Sequence, residues 1–212
     1  QKLPNIAKHL LNRSIKEGYK GQRIKTTINH NLQVKVNDIV LKHNKRLSAN
    51  KINNAAAVVV EVESGNIIAY VGNVSGGDSL CANSDVDLVN SKRSTGSILK
   101  PFLYACMLND GLILPNTLVP DIPVNIGSFN PENSNNDFDG AVPADLALSR
   151  SLNVPAVWML RSYGIKRFKY MLERMGITTF TKPASHYGLS LLLGGGEGTL
   201  WEITSVYAGM AR

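Results

Sequence analysis

The strongest constraint on the fold of this chain is an apolar run, Ile98 to Leu108, that follows a Thr95-Gly96 turn signal and carries Pro101 near its beginning. Proline fits the first turn of a helix but not its interior, because it lacks an N–H and its ring clashes with the preceding turn. The run therefore predicts a buried helix over 97–109 that begins close to Ser97. Lys100 follows Ser97 by three positions, and i and i+3 share a helix face. A hydroxyl and an amine thus meet at a helix start, where free amide N–H groups and the positive dipole end favour a developing anion. This is the S-x-x-K spacing of enzymes that form acyl-serines. The same residues also describe a serine cap followed by a lysine whose stem lies along apolar surface. Ser48-Ala49-Asn50-Lys51 repeats the spacing in a stretch rich in Asn and Lys, where it reads as a turn.

A second pattern, Ser-x-Asn, occurs at Ser48-Ala49-Asn50, Ser128-Phe129-Asn130, Ser134-Asn135-Asn136 and Ser151-Leu152-Asn153. The pairs at 128 and 134 fall in Gly127 to Gly140, where the density of Asn, Asp and Pro reads as turns. Ser151 alone sits between two helical patterns, Ala144 to Arg150 and Val157 to Tyr163, with Pro155 at the break. From the residues alone, Ser151 and Asn153 read first as a helix end and a cap.

Periodicity lays out the rest. Leu3 to Gly18 reads as an amphipathic helix or linker, Arg23 to Ile28 as a short strand, and Asn31 to Leu47 as a helix. Ala55 to Glu63 and Ile67 to Gly72 flank Ser64-Gly65-Asn66, a hairpin with its turn residues in place. Further helices are expected at 143–151, 154–163, 165–176 and 200–211, the last opening on Thr199-Leu200-Trp201-Glu202, a capping-box pattern. The fold class is α+β, a sheet hairpin followed by a helical subdomain, and 212 residues suffice for one sizeable core.

Residues 1–51 hold 12 Lys and Arg against Glu17 and Asp38, a net of +10, and the remainder nets −3. That bias fits a solvated face, or a location near an anionic membrane surface or wall polymer. Nucleic acid is excluded as a partner because the basic third has no interleaved aromatics, Tyr19 standing alone. No 18-residue apolar run exists to span a membrane, and Gln1-Lys2-Leu3-Pro4 lacks the apolar core of a signal peptide. Cys106 falls in the buried helix as a small hydrophobe and Cys81 in the loop from Val74 to Asn83; a disulfide between them is neither demanded nor excluded. His9, His30, His43 and His186 sit among polar neighbours and are expected to be solvated, and no Cys/His spacing marks a metal site. Gly194-Gly195-Gly196-Glu197 lacks the Gly-Lys-Ser/Thr ending of a phosphate loop.

Three stretches, Arg93 to Phe102, Ser151 to Val157 and Tyr187 to Glu197, resemble the transpeptidase domain of class A penicillin-binding proteins, in particular its 1C type. Thr26 to Gln33 and Ala55 to Gly72 are similar to that family's first strand, helix and hairpin, so the likeness runs from about residue 20 to 212. The resemblance implies the serine β-lactamase-like fold. Residues 1–22 would link from a glycosyltransferase domain that is not present, and 23–212 would form the N-terminal part of the transpeptidase domain. The family's third motif, Lys-Thr/Ser-Gly, is absent from the chain. Its place lies beyond the final helix, so the expectation is an incomplete domain without its C-terminal strands.

What the resemblance implies chemically is acyl transfer. Ser97 would attack the carbonyl between two D-alanines ending a peptidoglycan stem peptide, and a second stem's amine would resolve the acyl-enzyme. Lys100 would be the base, Ser151 a proton relay, and Asn153 a holder of Lys100 and the substrate amide. Gly96, Asn153 and Gly195 would bind substrate, with Gly194 to Gly196 forming the site floor and Glu197 bracing it. β-Lactams would acylate Ser97, no cofactor or metal is implied, and the parent protein would be periplasmic and anchored in the inner membrane. A serine β-lactamase shares the motifs but requires a deacylating base, and no residue here takes that role. A non-catalytic or inactive binding fragment is the other alternative, with weak acylation expected of these 212 residues alone.

Overall fold

A computed structural model describes residues 6–74, 84–127 and 129–212. In chain order the elements are α1 (Lys8–Ser14), α2 (His30–Leu47), β1 (Ala57–Val60), β2 (Ile67–Val71), β3 (Arg93–Ser94), α3 (Lys100–Asn109), β4 (Leu118–Asp121), β5 (Gly140–Pro143), α4 (Ala144–Ser149), α5 (Asn153–Tyr163), α6 (Ile165–Met175), α7 (Ala184–Tyr187), β6 (Glu197–Gly198) and α8 (Leu200–Ala211). They gather into two units, one from residues up to 92 together with 199–212 and the other from 93–198.

The first unit is built on the antiparallel hairpin of β1 and β2, with Val58 opposite Tyr70 and a bulge between Val59 and Val60. Successive strand residues face opposite sides. Ala69 and Val71 therefore pack with Val36 and Val40 of α2, while the Tyr70 ring meets Trp201 of α8 at 6.5 Å. α2 starts where Asn29 accepts from the Leu32 N–H. α8 starts with the expected capping box between Thr199 and Glu202.

The strand expected at Arg23 to Ile28 does not form. Along the edge of β2 only the Asn29 N–H reaches a carbonyl, Ile68 O at 3.0 Å, while Thr27 bonds Ile67 O through its hydroxyl. Further along, the fully buried Gln33 takes the place a strand would need: its side chain accepts from Tyr70 N at 2.7 Å and donates to Tyr70 O at 3.0 Å. His9 is also unlike the expectation. It is 4% exposed, with Nε2 2.8 Å from Ser84 O, because Gly72 lets α1 lie so close that a Cβ there would come within 2.4 Å of the His9 Cβ.

In the second unit α3, α5 and α6 share a core of Leu99, Phe102, Leu103, Val157, Leu160, Phe168 and Leu172, each 0% exposed. β4 and β5 pair antiparallel on either side of the polar loop expected to hold turns. The expected helix from Ser97 begins instead as a 3-10 turn, Gly96–Leu99, and becomes α3 at Lys100 with Pro101 in its first turn. Cys106 is a buried free thiol whose pKa burial pushes up; Cys81 lies outside the described residues.

Candidate active site

The serine of the S-x-x-K pattern sits exposed in the 3-10 turn, and its hydroxyl makes no hydrogen bond among the described residues. Two backbone devices fix this turn. Thr95 donates through both N–H and Oγ1 to Gly196 O, at 3.1 and 3.3 Å, and Ser94 Oγ donates to Gly194 O at 2.9 Å. The approach is close enough to exclude side chains. A Cβ on Gly194, whose φ is +98°, would lie 2.5 Å from Ser94 Oγ and 3.2 Å from Gly96 N. On Gly195 it would meet Ser190 Oγ at 2.2 Å, and on Gly196 the Phe180 ring at 2.5 Å. Gly96 itself faces open space, whereas Gly195 turns its Cβ direction onto Ser190. Glu197 pairs its backbone with Ser94 and leaves its carboxylate exposed.

Lys100 does not bond Ser97, as the shared helix face had suggested, but reaches across to the junction before α5. Its Nζ donates to Ser151 O at 2.7 Å, Asn153 Oδ1 at 2.7 Å and Ser151 Oγ at 3.3 Å. The residue is 3% exposed, and burial pushes its pKa down from 10.5 to about 8.

That junction is shaped by the end of α4. Ser151 N donates to Leu148 O and Leu152 N to Ala147 O, both at 2.9 Å, the paired bonds of a Schellman motif with Ser151 in the left-handed position. Leu152 packs on Ala147 and Val142. Glycine is favoured where Ser151 stands, since φ is +54°. A serine held there presents its hydroxyl and carbonyl to one amine. Asn153 is not a cap: the cap position belongs to Leu152, and the Asn153 amide is engaged by Lys100 and by Glu132 O, the latter at 2.8 Å.

Sequence reading passed over Asp121, Glu132 and Asn133. Asn133 is 2% exposed and accepts from the N–H groups of Asn153 and Val154. Its composition-rich loop masked it as one turn former among many. A usable signal lay at α5 itself, where Leu152 offers no capping oxygen and two amides must find an acceptor elsewhere.

With this geometry in view, residues 55–190 match the family described as Penicillin binding protein transpeptidase domain. The chain belongs to that family. It is 34% identical to penicillin-binding protein 1C of Escherichia coli (strain K12) over all 212 residues, which cover 27% of that protein. It is 33% identical to penicillin-binding protein 1A of Vibrio cholerae over 150 residues, 68% of this chain and 17% of that one. The chain thus spans a minor part of either curated relative. Among solved structures it matches penicillin-binding protein 1A from Haemophilus influenzae with a TM-score of 0.61 at 27% identity, covering 73% of this chain and 23% of that one. PonA1 from Mycobacterium tuberculosis, solved in complex with penicillin V, has a likeness of fold, with a TM-score of 0.66 at 19% identity over 97% of this chain and 56% of that one. Among the described residues no helix is long and apolar enough to cross a membrane.

Proposed function

We propose that this chain carries the acylation site of a peptidoglycan D,D-transpeptidase, with Ser97 as nucleophile and Lys100 as its base. The observation that carries the reading is the buried amine of Lys100, held by Ser151 and Asn153 with its pKa pushed down to about 8. An amine near that value has a neutral fraction at working pH, which a general base requires.

The partners of Lys100 also set where its lone pair points. Ser151 O and Asn153 Oδ1 only accept, so in the neutral amine both remaining N–H groups are drawn to them. The lone pair is left for a hydroxyl, and Ser151 Oγ lies 3.3 Å from Nζ. Ser97 is exposed, and among the described residues its hydroxyl is held by no hydrogen bond. In acylation the Ser97 Oγ–carbonyl bond forms, its proton passes to Lys100, and the C–N bond to the terminal D-alanine breaks as Ser151 relays a proton to the leaving nitrogen. The Ser97 N–H at the helix start offers one donor to the oxyanion. Gly96 and Asn153 bound the substrate side, with Gly195 in the floor beneath. A β-lactam undergoes the same attack with its leaving nitrogen tethered. The penicillin V complex of PonA1 supports β-lactams as ligands for this chain as well. Membership of the transpeptidase family and the likeness to penicillin-binding protein 1C support a periplasmic, membrane-anchored parent with a glycosyltransferase function and D-Ala-D-Ala stem peptides as substrate.

Incubation of the whole gene product with a fluorescent penicillin, read by intact mass, is expected to give one stable adduct that Ser97→Ala abolishes. A label surviving in Ser97→Ala overturns the nucleophile, and rapid nitrocefin turnover points to a hydrolase instead. The 212-residue chain, which has no Lys-Thr/Ser-Gly triplet, is expected to label weakly in the same assay.

A further inference from the structure

The first turn of an α-helix leaves amide N–H groups without partners inside the helix. At α5 each of them can be traced. Leu152 N–H goes to Ala147 O, and Pro155 has none to place. The two that remain, on Asn153 and Val154, both donate to Asn133 Oδ1, at 2.9 and 3.2 Å. Asn133 is fixed from its other end, where Nδ2 donates to Asp121 Oδ1 at 2.7 Å and to Asp137 O at 2.9 Å. Turning the amide over would set donors against donors and acceptors against acceptors, so the network dictates its orientation. Asp121 is 1% exposed and spends its second oxygen on the Asp139 N–H at 3.1 Å. One residue before Asn133, Glu132 O accepts from Asn153 Nδ2 at 2.8 Å, which leaves Asn153 Oδ1 turned to Lys100 Nζ at 2.7 Å.

We propose that Asn133, latched to the buried Asp121, is a positioning residue for Lys100: it caps α5 from outside while its neighbour Glu132 orients the Asn153 amide. The proposal rests on the functional reading of Ser97 and Lys100. An ordinary cap would end at the two N–H groups. Here the same dipeptide holds both the backbone and the side chain of Asn153, so losing Asn133 frees one of the three partners that keep Lys100 in its dry place. The side chains bonded to Lys100 Nζ, those of Ser151 and Asn153, are uncharged. Of the charged groups around this network, Asp121 reaches it through Asn133, and the Asp139 carboxylate pairs with Arg150, the residue before Ser151. A lysine released into water returns toward its ordinary pKa, and each unit of that return lowers the neutral fraction about tenfold below the midpoint.

The test compares wild type, Asn133→Ala and the exchange Asp121→Asn/Asn133→Asp in the whole gene product. In the exchange, a carboxylate at 133 still accepts both N–H groups and takes its support from the introduced amide at 121. Two readouts are followed against pH: the Lys100 13Cε resonance, which needs no substrate, and the rate of penicillin acylation per folded molecule. Asn133→Ala is expected to move the Lys100 midpoint up from about 8 by a unit or more and to slow acylation at neutral pH about tenfold. The exchange should recover part of both, since Asp137 O then faces a carboxylate in place of the amide donor. Should Asn133→Ala fail to fold, Asp121→Asn alone gives a smaller shift in the same direction. Equal Lys100 midpoints in wild type and variant overturn the proposal, whatever the rates. A shifted midpoint in a protein whose Ser97 is never acylated keeps the positioning role and sinks the functional reading.

Discussion

Burying Lys100 has a thermodynamic cost that pH should reveal, and Lys100→Met isolates it. The folded protein releases the Lys100 proton near pH 8, whereas the unfolded chain holds it to 10.5. Between those values the unfolded state binds more protons, so stability rises with pH; below 8 the cost is fully present, and above 10.5 it is gone. The difference corresponds to about 3.4 kcal/mol at pH well below 8, at 1.36 kcal/mol per unit. At pH 7 nearly all of it applies, and at pH 10 about 0.8 kcal/mol remains, so wild type should gain about 2.5 kcal/mol over Lys100→Met between the two. Methionine matches the stem in length but carries no charge. Its failure to satisfy Ser151 O and Asn153 Oδ1 is independent of pH and cancels when the variant is compared with wild type at both values. The assay is urea unfolding at pH 7 and pH 10 in a Trp201→Phe background, so that fluorescence comes from Trp158 within the second unit. For a unit of this size the relative midpoint shift is about 1 M urea. A wild type minus variant difference that stays flat across this range, or that moves the other way, refutes the account of Lys100 as a lysine perturbed by burial.

Two further substitutions probe the backbone of the site. Ser151→Gly removes a left-handed non-glycine residue from a Schellman position and is expected to raise stability by about 1 kcal/mol while acylation falls; a lowered Tm contradicts the strain. Gly194→Ala drives a Cβ to 2.5 Å from Ser94 Oγ at a φ of +98°, and should destabilise by about 2 kcal/mol. Penicillin labelling of its folded fraction should fall as well, because Gly96 and the Ser97 turn must give way, and an unchanged Tm contradicts the close packing.

Sequence carried the local chemistry of this fold well and its distant chemistry poorly. The hairpin was legible in Ser64-Gly65-Asn66, α2 in its periodicity and α8 in Thr199 with Glu202, because caps and turns act within a few residues. The missing strand at Arg23 to Ile28 was not legible, since what displaces it is Gln33 bonding Tyr70 37 positions away. His9 failed for a similar reason, its polar sequence neighbours saying nothing of Gly72. At the site, Ser97 and Lys100 stood out by spacing, yet the lysine's partners are 51 and 53 residues off. Choosing Ser151-Leu152-Asn153 among four Ser-x-Asn matches required family likeness, and no local pattern distinguished Asn133 from the turn formers around it.

The site residues break local rules in ways that share one cause. Lys100 is a buried cation, Ser151 occupies a glycine conformation, and Gly194 to Gly196 give up side chains along a segment that packs against its neighbours. Each departure costs stability where it occurs, and such departures persist only where surrounding structure over-determines them. In this unit the surroundings are identifiable: Leu99 locks the turn between Ser97 and Lys100 into the core, Leu152 pins the junction through Ala147, and Asn133 closes the end of α5. Two of these anchors adjoin a departure in sequence, Leu99 beside Lys100 and Leu152 beside Ser151. Rigidity is therefore concentrated around a hydroxyl, an amine and an amide, whose mutual geometry the proposed acyl transfer by a lysine base would require to be kept.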